Sequence, residues 1–398
     1  MKVLSEPARV RGFRFAGVSA GLKTVAGAKD LGLIAAQNPI AAAGLFTTNR
    51  VKAAPVVVAS ERVGRGKLQA VVVNSGSANC FTGKPGLRLA LDSCAAVAAE
   101  LGCDGTHVAP CSTGVIGHLY DFEKYRDGVR RAVGALNEDG LEEFARAIMT
   151  TDTRPKAASV RLRLGGREIT VAGAAKGSGM LSPRVATMLA FIVTDVAVTP
   201  AQLRTALKEA SASSFNAITV DGDMSTNDTV LAMASGAAEN RALDGRERAI
   251  FVEAMGAVAS SLARQLVYDG EGATKLVAIR VRGARSRADA ERIARRIGNS
   301  PLVKTAFFGC DPNVGRIIAA AGASGVALDP ARLELRVGGV KIASRGMLLV
   351  GALEAAQQRM REREFAVDLN LKLGSGEAAL LTSDLSLDYV KINAEYTT

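Results

Sequence analysis

The sequence predicts an α/β protein of layered sheets and helices. Three observations carry this: short apolar runs bounded by Gly, Asn and Ser recur, amphipathic stretches lie between them, and no long low-complexity linker separates the two kinds. With 398 residues, the chain is long enough for two or three cores or one large layered unit.

The runs Gly32 to Ala36, Leu68 to Val73, Ile169 to Ala172, Leu189 to Val193 and Leu276 to Val281 read as strands. They do not alternate with polar residues, so several are expected to be buried on both faces. From Leu87 to Leu101, the apolar Leu87, Leu91, Cys94, Ala98 and Leu101 fall on one helical stripe, and Gly102 supplies a stop. The same spacing predicts helices over Phe122 to Leu136, Pro200 to Ser211, Arg246 to Tyr268 and Leu349 to Arg363. Ser286 and Asp289 open a further helix that presents Ala290, Ile293, Ala294 and Ile297 on one side. Leu385 to Ile392 reads as a strand, and composition alone would leave 393–398 as a disordered tail.

The formal net charge of +11 attracts anions, but Lys and Arg are scattered or interleaved with acids. No basic run is studded with aromatics, which argues against nucleic acid and leaves a small carboxylate substrate as a partner of equal standing. Five cysteines without a C-x-x-C pair indicate neither a disulfide framework nor a zinc knuckle, and reduced thiols fit a cytoplasmic protein. Only His107 and His118 are present, so no histidine-based metal site is expected, and a Ser-His-Asp triad would have to use one of these two. The N-terminus shows no secretory pattern, and no segment reaches the ~18 uninterrupted apolar residues of a membrane span.

The most informative segment is Ala174-Ala175-Lys176-Gly177-Ser178-Gly179-Met180-Leu181-Ser182-Pro183-Arg184-Val185-Ala186-Thr187-Met188-Leu189-Ala190-Phe191-Ile192-Val193-Thr194-Asp195. Read without chemistry, it is a flexible loop with a surface cation, leading to a β-branched strand threonine. A phosphate-binding reading fails, because the Lys precedes the glycines and an apolar run follows where a helix N-terminus would be needed. The chemical reading has the Thr187 hydroxyl attack the Ala186 carbonyl. Hydrolysis of the ester would then leave Thr187 as a new N-terminus. Its α-amine, with a pKa near ~7.7–8.0, could take the hydroxyl proton without any histidine.

This segment resembles the signature of the ornithine acetyltransferase family, also called bifunctional glutamate N-acetyltransferases, and the likeness runs over essentially the whole chain. It includes Gly44 to Pro55, Asn74 to Asn79, Ser112 to Gly117, Thr150 to Thr153, Val220 to Asp223, Ser225 to Thr229, Asp269 to Lys275 and Asn393 to Thr398. The resemblance implies the layered, self-cleaving fold that the family shares with DmpA-type aminopeptidases. Cleavage between Ala186 and Thr187 would give fragments 1–186 and 187–398, associated as a heterotetramer of two pairs. It further implies acetyl transfer from N-acetylornithine to glutamate through Thr187, with no metal or organic cofactor and with acetyl-CoA as a co-substrate in some members. Thr113 and Gly114 match the family's oxyanion hole. Thr150, Lys176, Thr187, Glu271, Asn393 and Thr398 match its substrate contacts, so the resemblance places the last residue in the site.

Arg184, Val185, Ser77, Met224, Cys310 and Val314 depart from the family's pattern. None of these is the nucleophile or an oxyanion residue, but they bear on processing rate and substrate breadth. Two other readings stay open at this stage: a related self-cleaving aminopeptidase or amidase in which water accepts the acyl group, and an uncleaved basic binding protein.

Overall fold

Two mixed sheets organise the residues that the structure, a computed structural model, describes: 1–4, 6–182 and 188–395. The strands are β1 (Arg14–Val18), β2 (Leu31–Phe46), β3 (Lys67–Asn74), β4 (Val108–Ser112), β5 (Lys156–Leu164), β6 (Arg167–Lys176), β7 (Leu189–Thr194), β8 (Ile218–Thr219), β9 (Thr229–Ala234), β10 (Leu276–Ala284), β11 (Glu334–Val337), β12 (Val340–Ser344), β13 (Met347–Leu348), β14 (Glu364–Asn370) and β15 (Gly376–Ser383). The helices are α1 (Ala54–Gly64), α2 (Gly83–Leu101), α3 (Phe122–Gly134), α4 (Leu141–Ala147), α5 (Pro200–Ala212), α6 (Gly245–Tyr268), α7 (Arg287–Gly298), α8 (Pro301–Phe308), α9 (Val314–Gly322), α10 (Leu353–Met360) and α11 (Leu387–Glu395). The first sheet runs β4-β3-β2-β9-β7-β6-β5 with β1 beside β2, and the second runs β13-β12-β11-β14-β10-β15-β8.

The centre of the first sheet shows why its strands read as unbroken apolar runs. Val171 and Ala175 of β6 and Ala190 and Ile192 of β7 point into a core shared with α5 and α6. The intervening Ala172, Ala174, Leu189, Phe191 and Val193 point into a second core with α4, where Phe144 meets Phe191 edge to face at 5.2 Å. Both faces are covered, as the non-alternating pattern predicts. Gly173 marks a close approach: a Cβ there would lie 2.7 Å from the Phe191 carbonyl oxygen and 3.2 Å from Leu262 of α6.

Local signals set the helix ends. Gly102 stops α2 with a left-handed φ of 66°. Ser286 caps α7 by accepting the Asp289 N–H, and α6 starts in a capping box formed by Asp244 and Glu247. Among the described residues, α6 is the one helix long and apolar enough to cross a membrane. Here one face of it, Phe251 to Val267, fills the first sheet's core.

Two expectations are corrected. Leu385 to Ile392 does not form a strand; α11 covers Leu387–Glu395 with Leu387 and Val390 77% and 60% exposed, so its apolar residues do not mark a buried face. Helix over Leu349 to Arg363 is confined to α10 (Leu353–Met360), preceded by a 3-10 turn at Val350–Ala352. Cleavage after Ala186 and the roles of Thr187 and Thr398 fall outside the described residues.

Substitutions in α6 separate packing from backbone entropy. Leu262→Ala removes a fully buried side chain and should lower unfolding free energy by about 2–5 kcal/mol in urea titrations. Gly256→Ala adds a methyl with nothing within 4 Å and should raise it by up to about 1 kcal/mol.

Candidate active site

Element ends converge on one cavity of about 130 Å³. Thr113 and Gly114 follow β4, Thr150 lies between α4 and β5, and Lys176 ends β6. Asp221 follows β8, Glu271 follows α6, and Asn393 stands on α11. The space is well below the ~300–1,000 Å³ of pockets for drug-sized ligands and suits an amino acid. Thus Thr113, Gly114, Thr150, Lys176, Glu271 and Asn393, all singled out from the sequence, come together. Ala186, Thr187 and Thr398, with Arg184 and Val185, lie outside the described residues.

Lys176 is a buried cation, 3% exposed, because β6 carries it into the interior. Its Nζ donates to Thr113 Oγ1 at 3.0 Å and to Thr150 Oγ1 at 2.7 Å. Burial pulls this ammonium below the ordinary lysine range; Asp152 opposes the fall, Lys156 adds to it, and Glu271 and Asp228 oppose it.

Since Thr113 Oγ1 accepts from Lys176, its own proton is free to point elsewhere. The Thr113 N–H is committed to the Asn74 carbonyl at 3.0 Å. Gly114 follows at the cavity wall. Gly114 has φ 128°, and a Cβ would stand 2.8 Å from Gly76 C and 2.9 Å from Ser77 N, so only glycine fits. A polarised hydroxyl next to the backbone N–H of a glycine is a donor pair suited to a developing oxyanion. Asn227 fixes this corner by donating to the carbonyls of Ala78 at 2.7 Å and Ser112 at 2.8 Å.

Acids hold the other walls. Glu271 accepts from Thr151 Oγ1 at 2.6 Å and from Asn393 Nδ2 at 2.9 Å. Gly179 lets that carboxylate in, since a Cβ would lie 2.4 Å from Glu271 Oε2. Asp221 accepts the N–H groups of Leu181 at 2.9 Å and Asp223 at 3.1 Å, and that of Met180. Burial nevertheless pushes its carboxyl up to about 6. Behind the cavity Lys156, without solvent exposure, joins Asp152 to Asp269, at 2.6 Å from the latter. Burial alone would raise Asp152, but the charges of Lys176 and Lys156 and hydrogen bonds from Lys156 and Gly177 hold it below the usual carboxylate range.

Sequence reasoning named the segments of Asp152, Asp221 and Asp269 without giving these acids roles, and missed Lys156 and Tyr389. A lysine opening a strand between two acid-bearing segments was the available signal for the Lys156 network.

Asp221 makes stability depend on pH. Its folded-state pKa is raised, so its contribution is intact below about pH 4 and is lost as pH rises through about 6. Thermal melting of Asp221→Asn should lack this loss, which amounts to about 3 kcal/mol in the native chain; identical melting–pH curves would reject the assignment.

A model of the ArgJ family matches residues 14–398. The arginine biosynthesis bifunctional protein ArgJ of Geobacter sulfurreducens is 50% identical over 392 residues, 98% of this chain and 100% of that protein. The protein of the same name from Symbiobacterium thermophilum is 47% identical over 390 residues, covering 97% of each. Among solved structures, the arginine biosynthesis bifunctional protein ArgJ of Bacillus halodurans is similar with 39% identity and a TM-score of 0.51, over 53% of this chain and 100% of that chain.

Proposed function

Because this chain belongs to the ArgJ family, we propose that it is an acetyltransferase of arginine biosynthesis that moves acetyl from N-acetylornithine to glutamate through an ester on Thr187. The observation that carries this reading is the junction of Lys176 with Thr113 and Thr150 beside Gly114, in a cavity of amino-acid size whose other wall holds Glu271.

In the proposed cycle the free α-amine of Thr187 takes the Oγ proton as Oγ attacks the acetyl carbonyl. Thr113 Oγ1–H and Gly114 N–H meet the negative charge on the carbonyl oxygen. The amine then returns the proton to the departing ornithine nitrogen, and the glutamate amine attacks the ester to release N-acetylglutamate. Glu271 suits a substrate ammonium, and the buried Lys176 with Thr150 suits a carboxylate, with Asn393 and Thr398 completing the contacts. The acyl group travels on Thr187, so the cycle requires neither metal nor organic cofactor. The relatives are named bifunctional; charging of the same ester from acetyl-CoA is the second activity we propose.

Two features support self-cleavage between Ala186 and Thr187. The solved Bacillus halodurans chain is matched in full by 53% of this chain, a share equal to that of a fragment 187–398. A cut there would also leave the halves joined, since β7 is hydrogen-bonded to β6 of the first half on one side and to β9 on the other. The pairs are expected to associate two by two in the cytoplasm.

A denaturing gel should show two fragments of about half length, while Thr187→Ala remains one chain without transferase activity; two fragments from that variant would reject the nucleophile. Incubation with N-acetylornithine and glutamate should yield N-acetylglutamate, and acetate as the sole product would identify an amidase instead. Thr113→Ala should lower kcat about 10²–10³-fold.

A further inference from the structure

Helix α11 brings two polar side chains to the cavity, Tyr389 and Asn393, four residues apart on one face. The start of the helix fixes where they stand. Ser386 Oγ accepts the Tyr389 N–H at 3.2 Å and donates to the Gly272 carbonyl at 2.6 Å. A Cβ at Gly272 would lie 2.4 Å from the Tyr389 nitrogen, so a larger residue there would push the helix away. One turn on, Asn393 Nδ2 donates to the Tyr389 carbonyl at 3.0 Å and to Glu271 Oε2 at 2.9 Å. Both amide protons of Asn393 are thereby committed.

The Tyr389 hydroxyl stands among acids, since Asp221, Asp223 and Glu271 line the same cavity. Its bond to Asp221 Oδ2 is 3.5 Å long, at the outer limit for a hydrogen bond, and that oxygen already accepts the Met180 N–H. The hydroxyl is thus held in place with its proton available to a ligand. A phenol ordinarily titrates near ~10. Burial first, and then the charges of Asp221, Glu271 and Asp223, push this one higher still, so it remains a donor.

The transfer proposed above places opposite demands on this wall. N-acetylornithine and glutamate share an α-carboxylate and the α-nitrogen at which acetyl leaves or arrives, so their side chains enter the same part of the cavity in alternate half-reactions. One side chain ends in an ammonium and the other in a carboxylate. Three acids suit the first and repel the second. A hydroxyl serves both, because it accepts from an ammonium and donates to a carboxylate.

We propose that Tyr389 is the specificity-determining residue that lets one cavity take both substrates: its hydroxyl accepts from the side-chain ammonium of N-acetylornithine and donates to the side-chain carboxylate of glutamate. The inference rests on the transferase reading of the function. Among the acids the ammonium has other partners, so loss of the hydroxyl falls chiefly on glutamate.

The test is Tyr389→Phe, which keeps the ring and removes the oxygen, with kcat/KM measured separately for N-acetylornithine, for glutamate and for glutamine, the neutral analogue of glutamate, as acceptor. A hydrogen bond to a charged group sets the size of the effect: kcat/KM for glutamate should fall about ten- to a hundredfold, while that for N-acetylornithine changes less than about threefold. The preference of the native enzyme for glutamate over glutamine should shrink by a similar factor, because the lost donor favours the charged acceptor. An unchanged value for glutamate, or an equal fall for all three substrates, would overturn the proposal. If the phenylalanine variant does not melt cooperatively, Tyr389→Leu takes its place under the same criteria. Absence of N-acetylglutamate from the native enzyme would instead overturn the transferase reading itself.

Discussion

The ammonium of Lys156 stands between the carboxylates of Asp152 and Asp269, and the walls of the cavity are referred to that buried ion triad. Asp152 also accepts the N–H of Thr150 at 3.0 Å and of Gly177 at 2.7 Å, which places Thr150 and the turn after Lys176 relative to each other. Asp269 accepts from the Thr153 N–H and hydroxyl and lies two residues before Glu271. A buried charge stripped of its partner typically costs about 3–5 kcal/mol. The triad therefore ties the segment before residue 183 to the segment after residue 188 by forces that do not require a continuous chain.

Glycine makes room for this polar centre where the chain could not otherwise come so close. Gly114 supplies a backbone geometry closed to other residues, and Gly179 yields its side-chain space to the Glu271 carboxylate. Both face the same cavity, so the oxyanion-type donors and the acidic wall each depend on a missing Cβ.

Much of this was legible in the sequence where a local signal coincided with a tertiary one. The runs in β6 and β7 are unbroken because cores lie on both sides of the sheet, and Gly102 and Ser286 act at their helix ends through backbone geometry alone. The second half of β2, rich in Ala and Gly, gave no strand signal of its own; pairing with β9 from Ala41 to Phe46 makes it one. Helix α11 gave no usable pattern because Leu387 and Val390 face solvent while Tyr389 and Asn393 line the cavity. For the site, composition would leave Lys176 and Glu271 as solvated charges; the family resemblance selected them, and the structure buries Lys176 at the end of β6 and sets the half-buried Glu271 against Gly179. The Lys156 triad closes only through Asp269, 113 positions further on, a pairing that the sequence around Lys156 does not record.

The insertion of β7 between β6 and β9 has a consequence for the life history of the molecule. Were the chain cut ahead of β7 as proposed above, it would fold once as a single polymer and thereafter exist as two, with a ladder of backbone hydrogen bonds between β6 and β7 joining the halves. Re-forming that sheet after complete unfolding would require two separate polypeptides to meet, a concentration-dependent encounter that the intact precursor never faces. Under the proposed cleavage, the covalent link would act as a single-use assembly aid, and the durability of the cut protein would become a matter of how slowly it opens.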